Sequence, residues 1–461
     1  MTSRDTAPKR SAPLQRGAEI ELEFTDLLAN GQGVGRAEGM AVFCFGPLPQ
    51  ERARVRVSDV KQKYAVADLL QILSESPARA QPFCPVFGIC GGCQVQHLAY
   101  SAQLRWKRDV VRNALERIGG LSGVDVDDTI GMSEPRAYRN KMSLVVNHRT
   151  TPPALGFYRQ RSHDVVAIDR CPIVTPPLDA ALSRLASLRD DATIAPVFDD
   201  ARHVVARSAA ASGDLVMTVT TPQPSRSTEA AAPALMREIP RLAGVANSFD
   251  LASENVILGR HHKQLAGEAE IEETVAGVRY RVSSASFFQV NVEMVERIFA
   301  FLEPSLSPAG RVVDLYCGIG TFSLYFAKHG WSVYGVEENL HAVAEAKANA
   351  RRNGLLGHVR VEAGRVERLV GAPGLRAALH DAGVVFLDPP RKGADEVTLG
   401  AIATARVPLL WYLSCDPATL ARDSKYLVAN GYRPITVQPF DMFPQTGHVE
   451  TLVRFEYCRG E

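Results

Sequence analysis

The sequence has almost no charge of one sign to spare. Its 52 Lys and Arg against 51 Asp and Glu leave a formal net charge of +1. Bulk charge therefore makes no case for a nucleic-acid partner, and any such case must rest on local patches. Long apolar runs are also missing. None reaches the ~20 residues that span a bilayer, so no transmembrane helix and no membrane partner are expected. The opening MTSRDTAPKRSAPLQRG has no apolar h-region, which argues against a secretory signal. Residues 1–16 are expected to form a disordered lead, and the location is expected to be cytoplasmic. Cysteine is sparse, with eight in 461 residues. Without a secretion signal this favours metal binding or catalysis over a disulfide framework. The length exceeds what one core usually holds, so two or three domains are expected.

Residues 17–75 read as a small β unit. Ile20, Leu22 and Phe24 alternate with acidic residues, and Ala53, Val55 and Val57 alternate with Arg52, Arg54 and Arg56. Between them stands GQGVGR (Gly31 to Arg36), which reads as a glycine-rich turn. Short, closely spaced strands of this kind suggest a closed barrel. Its arginine edge could be a solvated surface or an RNA-binding one. A cysteine-rich stretch follows, and His97 to Gly119 reads as one amphipathic helix. Residues 125–270 look mostly β, with TPQPSRSTEAAAP (Thr221 to Pro233) as a loop. From about 283 onward strands and helices alternate, which implies a doubly wound parallel sheet.

VVDLYCGIGTFSL (Val312 to Leu324) is a strand, a tight turn and a helix start. Gly318 and Gly320 would let the backbone approach a ligand at the helix N-terminus. Asp314 precedes the turn, and Glu337 closes the next strand, where a carboxylate can hold ribose hydroxyls. A dinucleotide site would prefer a third glycine, and that position is Ser323. The pattern favours S-adenosylmethionine, which has no phosphate to cradle. DPPRKG (Asp388 to Gly393) follows a later strand, with Arg391 where amine-methylating enzymes carry an aromatic residue.

LSCDPATLARD (Leu413 to Asp423) puts Cys415 between a strand and a helix, a place that favours a thiolate. Carbon 5 of uracil is a poor nucleophile. A thiolate added at carbon 6 turns the ring into an enolate able to attack a sulfonium methyl, and a base must then remove the carbon-5 proton. FPQTGHVETLVRF (Phe443 to Phe455) offers His448 and Glu450, the latter at the start of an apolar strand. Cys84, Cys90, Cys93 and the distant Cys171 could supply four thiolates to zinc or to an iron–sulfur cluster, and spacing does not choose between them. Cys44, Cys317 and Cys458 read as small hydrophobes. Arg136 to His163 interleaves Arg136, Arg139, Lys141, Arg149, Arg159 and Arg161 with Tyr138, Phe157 and Tyr158, a pattern suited to phosphates and splayed bases.

With these residues in hand, the chain resembles the bacterial RNA uridine C5 methyltransferases. It is most similar to the branch with a TRAM barrel and a 4Fe–4S cluster that acts on 23S ribosomal RNA. GQGVGR, SFFQVN (Ser286 to Asn291), DLYCGIGTFSL, DPPRKG, SCDPATLARD and GHVETL carry the resemblance in order and spacing, over nearly the whole chain. It implies a multidomain α/β fold: a TRAM barrel at 17–75, a central iron–sulfur and RNA-binding domain at 76–270, and a Rossmann-like methyltransferase domain at 271–461. The helix 97–119 is a candidate to pack on that last domain. It implies Cys415 as nucleophile and Glu450 as proton acceptor. Gln289, known here by motif alone, joins Asp314, Tyr316, Gly318, Gly320, Thr321, Glu337 and Asp388 at the cofactor and base. Cys84, Cys90, Cys93 and Cys171 become cluster ligands, with zinc the lesser alternative. The expected partner is structured RNA with a flipped or single-stranded uridine, ribosomal RNA first and transfer RNA second, read by a monomer. A non-catalytic RNA-binding or assembly protein is the competing class. Three positions depart from the pattern. Asp416 stands where Asn is frequent and would raise the thiol pKa, Thr321 replaces an Asn, and Arg365 takes a frequently acidic or amide position and is left out of the site.

Overall fold

The structure is a computed structural model that describes residues 14–253 and 256–458. Most of the expected lead, residues 1–13, lies outside the described residues. The chain divides into two compact units. One holds residues up to Gly88, Cys93–Trp106 and Gln445–Gly447, and the other holds Ile89–Gly92, Lys107–Pro444 and the chain from His448 onward.

The first unit is built on a closed five-stranded barrel: β1 (Glu19–Leu27), β2 (Gln32–Ala37), β3 (Met40–Phe45), β4 (Glu51–Val60) and β5 (Tyr64–Ser74), in the order β1-β2-β3-β5-β4. Alternation puts Leu22, Phe24, Val42, Cys44, Val55 and Val57 inside. GQGVGR is not all turn. Only Gly31 occupies the turn, at φ +83°, and Gly33 and Gly35 lie within β2. A Cβ at Gly35 would fall 2.1 Å from Leu22 Cδ1, so the glycine there is a packing requirement. The arginine edge is neutralised across the β1–β4 pair. Arg52 and Arg54 both bind Glu21 (3.1 and 2.8 Å), and Arg56 binds Glu19 (2.8 Å). One acid is fully buried. Glu51 accepts from Leu48 N (2.7 Å), Ser76 N (3.2 Å) and Arg79 Nη2 (2.7 Å). Burial pushes its carboxyl up, but the Arg79 and backbone hydrogen bonds outweigh burial and leave it below the usual range.

The second unit carries two large sheets. The central one joins β6 (Lys141–Asn147), β7 (Ala154–Tyr158), β8 (Val165–Ala167), β9 (His203–Ser208), β10 (Leu215–Thr220), β11 (Leu242–Phe249) and β12 (His261–Gly267), in the order β12-β11-β10-β9-β6-β7-β8. The helices Pro176–Ser187 and Arg226–Glu238 pack into its core through Leu178, Leu182, Leu185, Ala231 and Leu235. The stretch read as a loop from its prolines and serines is therefore helical from Arg226. Ser225 caps it by accepting from Thr228 N, and the alanine run carries it past Pro233.

A hairpin, β13 (Glu270–Val275) and β14 (Val278–Ser283), leads to the second sheet: β15 (Arg311–Leu315), β16 (Ser332–Glu337), β17 (Val359–Ala363), β18 (Val384–Leu387), β19 (Leu409–Ser414), β20 (Tyr432–Phe440) and β21 (Glu450–Tyr457). Its order is β17-β16-β15-β18-β19-β21-β20, parallel except for β20 and β21. Strand order reverses between β15 and β18, which opens a crevice at their carboxyl ends. Val111 and Leu115 of the helix Tyr100–Arg117 share the core of this sheet with Val313, Leu315 and Val385. The sequence missed the short helices Val366–Leu369 and Pro373–His380. Among the described residues, no helix is long and apolar enough to cross a membrane.

Glu51 supplies a stability test. Glu51→Ala leaves Arg79 without its carboxylate, a change that costs about 3 kcal/mol in buried pairs. Peptides of β1–β5 should then exchange deuterium faster. Because its folded pKa is lowered, the contribution of Glu51 is full above the unfolded value near ~4.3. It is lost as pH falls through the folded value. Unchanged exchange in the variant would count against the pair as a barrel anchor.

Candidate active site

Strand β15 ends in a backbone bend that only a few residues tolerate. Tyr316 sits at φ +66°, Gly318 at +56° and Gly320 at +86°, the last capping the helix Thr321–Lys328. Glu337, at the end of β16, accepts from Gly318 N (3.0 Å) and Asn339 N (2.8 Å), so its carboxylate is oriented beside the turn. Asp314 lies beneath, accepting from Ser323 Oγ at 2.5 Å, while its Oδ1 is buried with no partner. Burial pushes Asp314 up to about 7. Ser323, which replaces a dinucleotide-type glycine, thus supports the carboxylate under the turn.

Asp388 follows β18, and Cys415 follows β19. Asp416 caps the helix Pro417–Ala429 by accepting from Ala418 N and Thr419 N (2.9 and 3.0 Å). Glu450 opens β21 at 5% exposure, with Oε2 unpartnered. Burial raises Glu450 to about 7, against a lowering by Arg391. Burial also lifts Asp388 well above the carboxylate range, helped by Glu450 and Asp314. The helix start does not deliver the expected thiolate. Burial, then Glu450 and Asp388, push Cys415 up to about 12. Those are the carboxylates that act on the thiol, while Asp416, suspected from the sequence, is engaged in capping.

One cavity of about 1170 Å³ unites these groups. Its lining includes Gln289, Tyr316, Gly318, Thr321, Glu337, Asp388, Cys415 and Glu450. Asp314 and Gly320 stand behind that lining as support for the turn. Arg365, left out of the site on sequence grounds, lines the cavity and pairs with Glu338 at 3.2 Å. Phe443 and His448 line it too, their rings 5.8 Å apart. The segment before them is pinned from three directions. Lys107 Nζ donates to Asp441 Oδ1 (2.5 Å) and Phe443 O (3.1 Å), Asn291 Nδ2 to Met442 O (3.1 Å), and Tyr138 Oη to Pro444 O (3.0 Å). Sequence reasoning had no signal for Lys107, nor for the wall that β10–β12 lend to the cavity.

The fit to S-adenosylmethionine rests on chemistry visible here: a glycine turn open to the cavity, an oriented strand-end carboxylate, and buried acids with free oxygens. The metal cysteines fare differently. Cys84 and Cys93 belong to the first unit, and Cys90 and Cys171 to the second. All four are of intermediate exposure. Among the described residues no group of three or more His, Cys, Asp or Glu side chains is arranged to hold a metal. Of the remaining cysteines, Cys44 and Cys317 are buried as expected, but Cys458 is exposed.

Residues 261–457 match the tRNA (Uracil-5-)-methyltransferase family, and residues 13–70 match the TRAM domain. An uncharacterized RNA methyltransferase of Halalkalibacterium halodurans is 37% identical over 97% of this chain and 99% of its own. One from Bacillus cereus is 35% identical over 96% and 98%. The chain belongs to the RNA uracil-5 methyltransferase family. This RNA methyltransferase is accordingly S-adenosylmethionine-dependent, with an N-terminal TRAM barrel. In fold it is similar to the Pyrococcus abyssi tRNA (uracil-54, C5)-methyltransferase solved with S-adenosyl-L-homocysteine. The TM-score is 0.74 at 23% identity, covering 95% of this chain and 100% of that one.

A thiol held near 12 should react slowly. Iodoacetamide labelling of Cys415, quantified by mass spectrometry of its peptide, should be far below that of an exposed cysteine at pH 7.5. It should climb about tenfold per pH unit below the thiol pKa. Glu450→Gln removes one of the opposing charges and should speed the labelling. An equal rate in the variant would show that the carboxylate does not govern the thiol.

Proposed function

We propose that the methyltransferase transfers a methyl group to carbon 5 of a uridine in RNA, with Cys415 as nucleophile and Glu450 as base. The observation that carries this reading is the single cavity shared by Cys415, Glu450, the glycine turn and Glu337. Cys415 gives up its thiol proton to solvent, its Sγ bonds to carbon 6 of the uracil, and the ring becomes an enolate nucleophilic at carbon 5. S-adenosylmethionine, when bound, supplies an electrophilic sulfonium methyl. Carbon 5 takes that methyl, and Glu450 removes the carbon-5 proton as the Cys415–carbon 6 bond breaks. A folded pKa of about 7 suits Glu450 to this task, since it can accept a proton near neutrality. Gln289 and Asp388 face the same space and would hold the base, while Tyr316, Gly318, Thr321 and Glu337 would hold the cofactor.

The target must leave its stack to reach a thiol at the floor of a cavity, which favours a flipped or single-stranded uridine. Large-subunit ribosomal RNA is the substrate we infer from the motif resemblance. Transfer RNA is the second reading, favoured by the description of the family that residues 261–457 match. We further infer a 4Fe–4S cluster on Cys84, Cys90, Cys93 and Cys171 from the same resemblance. No chemical step is assigned to it.

Transcripts of 23S ribosomal RNA and of transfer RNA containing 5-fluorouridine should separate the substrates, because an abstractable carbon-5 proton is missing and the covalent adduct persists. One of them should give a gel-stable adduct that Cys415→Ala abolishes. Methylation of uridine by that variant would end the nucleophile assignment. Protein purified without oxygen should be brown, absorb near ~400 nm and contain about four iron atoms per chain. A colourless protein with one zinc would overturn the cluster.

A further inference from the structure

The cavity does not stop at the cofactor turn and the thiol. It continues onto the central sheet, along Thr218 of β10, Ala246 of β11, and His262 and Gln264 of β12. Its volume of about 1170 Å³ exceeds the ~300–1,000 Å³ typical of sites for one small molecule. The additional lobe has its own walls and its own chemistry.

One wall is the edge strand β12, which among the described residues pairs with β11 alone. Arg260 stands just before it, and it opens with His261, His262 and Lys263. The two-residue period of a strand sorts them. His261 and Lys263 lie near carboxylates, Asp250 at 3.7 Å and Glu229 at 2.8 Å, and do not line the cavity. Arg260 and His262 do line it, and Arg260 shares Asp250 with His261, at 3.8 Å. The opposite wall is the start of the helix Leu340–Arg352, which contributes His341. His262 is held below its usual range by burial first, then by His341 and His261. The acid on that wall, Glu345, accepts from Ser286 Oγ at 2.6 Å and is pushed up by burial, against lowering by Ser286.

We propose that this lobe holds the backbone phosphate of a nucleotide flanking the target uridine, with Arg260 and His262 on one wall and His341 on the other. The inference rests on the RNA reading above and adds a place for the strand to pass. Phosphate contacts of this kind fix the register of a substrate without reading its sequence. They would orient the strand so that one uridine can drop to the floor of the cavity.

The test uses the full-length protein and the fluorouridine-free version of whichever transcript forms the adduct, or both transcripts if neither does. Binding is followed by fluorescence anisotropy across a salt series. Arg260→Ala/His262→Ala and, separately, His341→Ala should each weaken RNA binding several-fold. The Arg260→Ala/His262→Ala pair should also flatten the dependence of log K on log salt by about 0.7 for the lost guanidinium–phosphate contact. S-adenosylhomocysteine binding, measured by calorimetry, should stay at the wild-type value. A salt slope equal to wild type in that double variant would overturn the proposal. So would a parallel loss of S-adenosylhomocysteine affinity, because the lobe would then belong to the cofactor. Absence of any adduct in the wild-type protein would instead remove the uridine reading, while the salt slopes would still decide whether the lobe binds phosphate.

Discussion

Two carboxyl groups and a thiol are crowded out of water at one edge of a parallel sheet, and the chemistry of this protein follows from that crowding. Asp388, Glu450 and Cys415 are each pushed towards the protonated form by burial, and for Asp388 and Cys415 neighbouring acids add to it. Their titrations are coupled, and in a low-dielectric space they cannot all be ionised together. The site without ligands therefore stores protons. Arg391, on the rim, is the cation that opposes this for both Glu450 and Cys415. A positively charged cofactor entering the same space would favour ionisation of all three groups, which ties reactivity to occupancy.

Such a site needs a stiff frame, and the frame is assembled from distant parts of the chain. Lys107 reaches 334 residues along the sequence to Asp441, with both side chains almost fully buried. Asn291 and Tyr138 bind the next carbonyls, so the segment leading to Phe443 has little freedom. Glu345 holds Ser286, at the start of the segment that carries Gln289. Side chains remote from the reacting groups thus decide where the lining stands.

The parallel sheet was readable because its strands are apolar runs that end in glycine turns, acids or the Cys415 motif. Those endings fell at the carboxyl edge where the fold opens. Composition misled at Thr221–Pro233, where prolines and serines hid a capped helix. It misled again at GQGVGR, where two of the glycines answer to packing inside a strand. The thiol was misjudged for a different reason. A helix start can be seen in a sequence, but the approach of Glu450 and Asp388, from other strands, cannot. The contribution of β10–β12 to the cavity was equally hidden, since it depends on which surface of a second sheet faces the first. The same holds for Arg365, whose place in the lining no residue-type rule anticipates.

The cross-strand pairing of Glu19 and Glu21 with Arg52, Arg54 and Arg56 has a consequence for selectivity. Three guanidinium groups in a row would adhere to any polyanion, the bulk of which in a cell is RNA that needs no modification. Glutamates set opposite them on the neighbouring strand offset two of those three charges. The strip then has less general stickiness, and abundant bystander RNA has less chance of sequestering the enzyme.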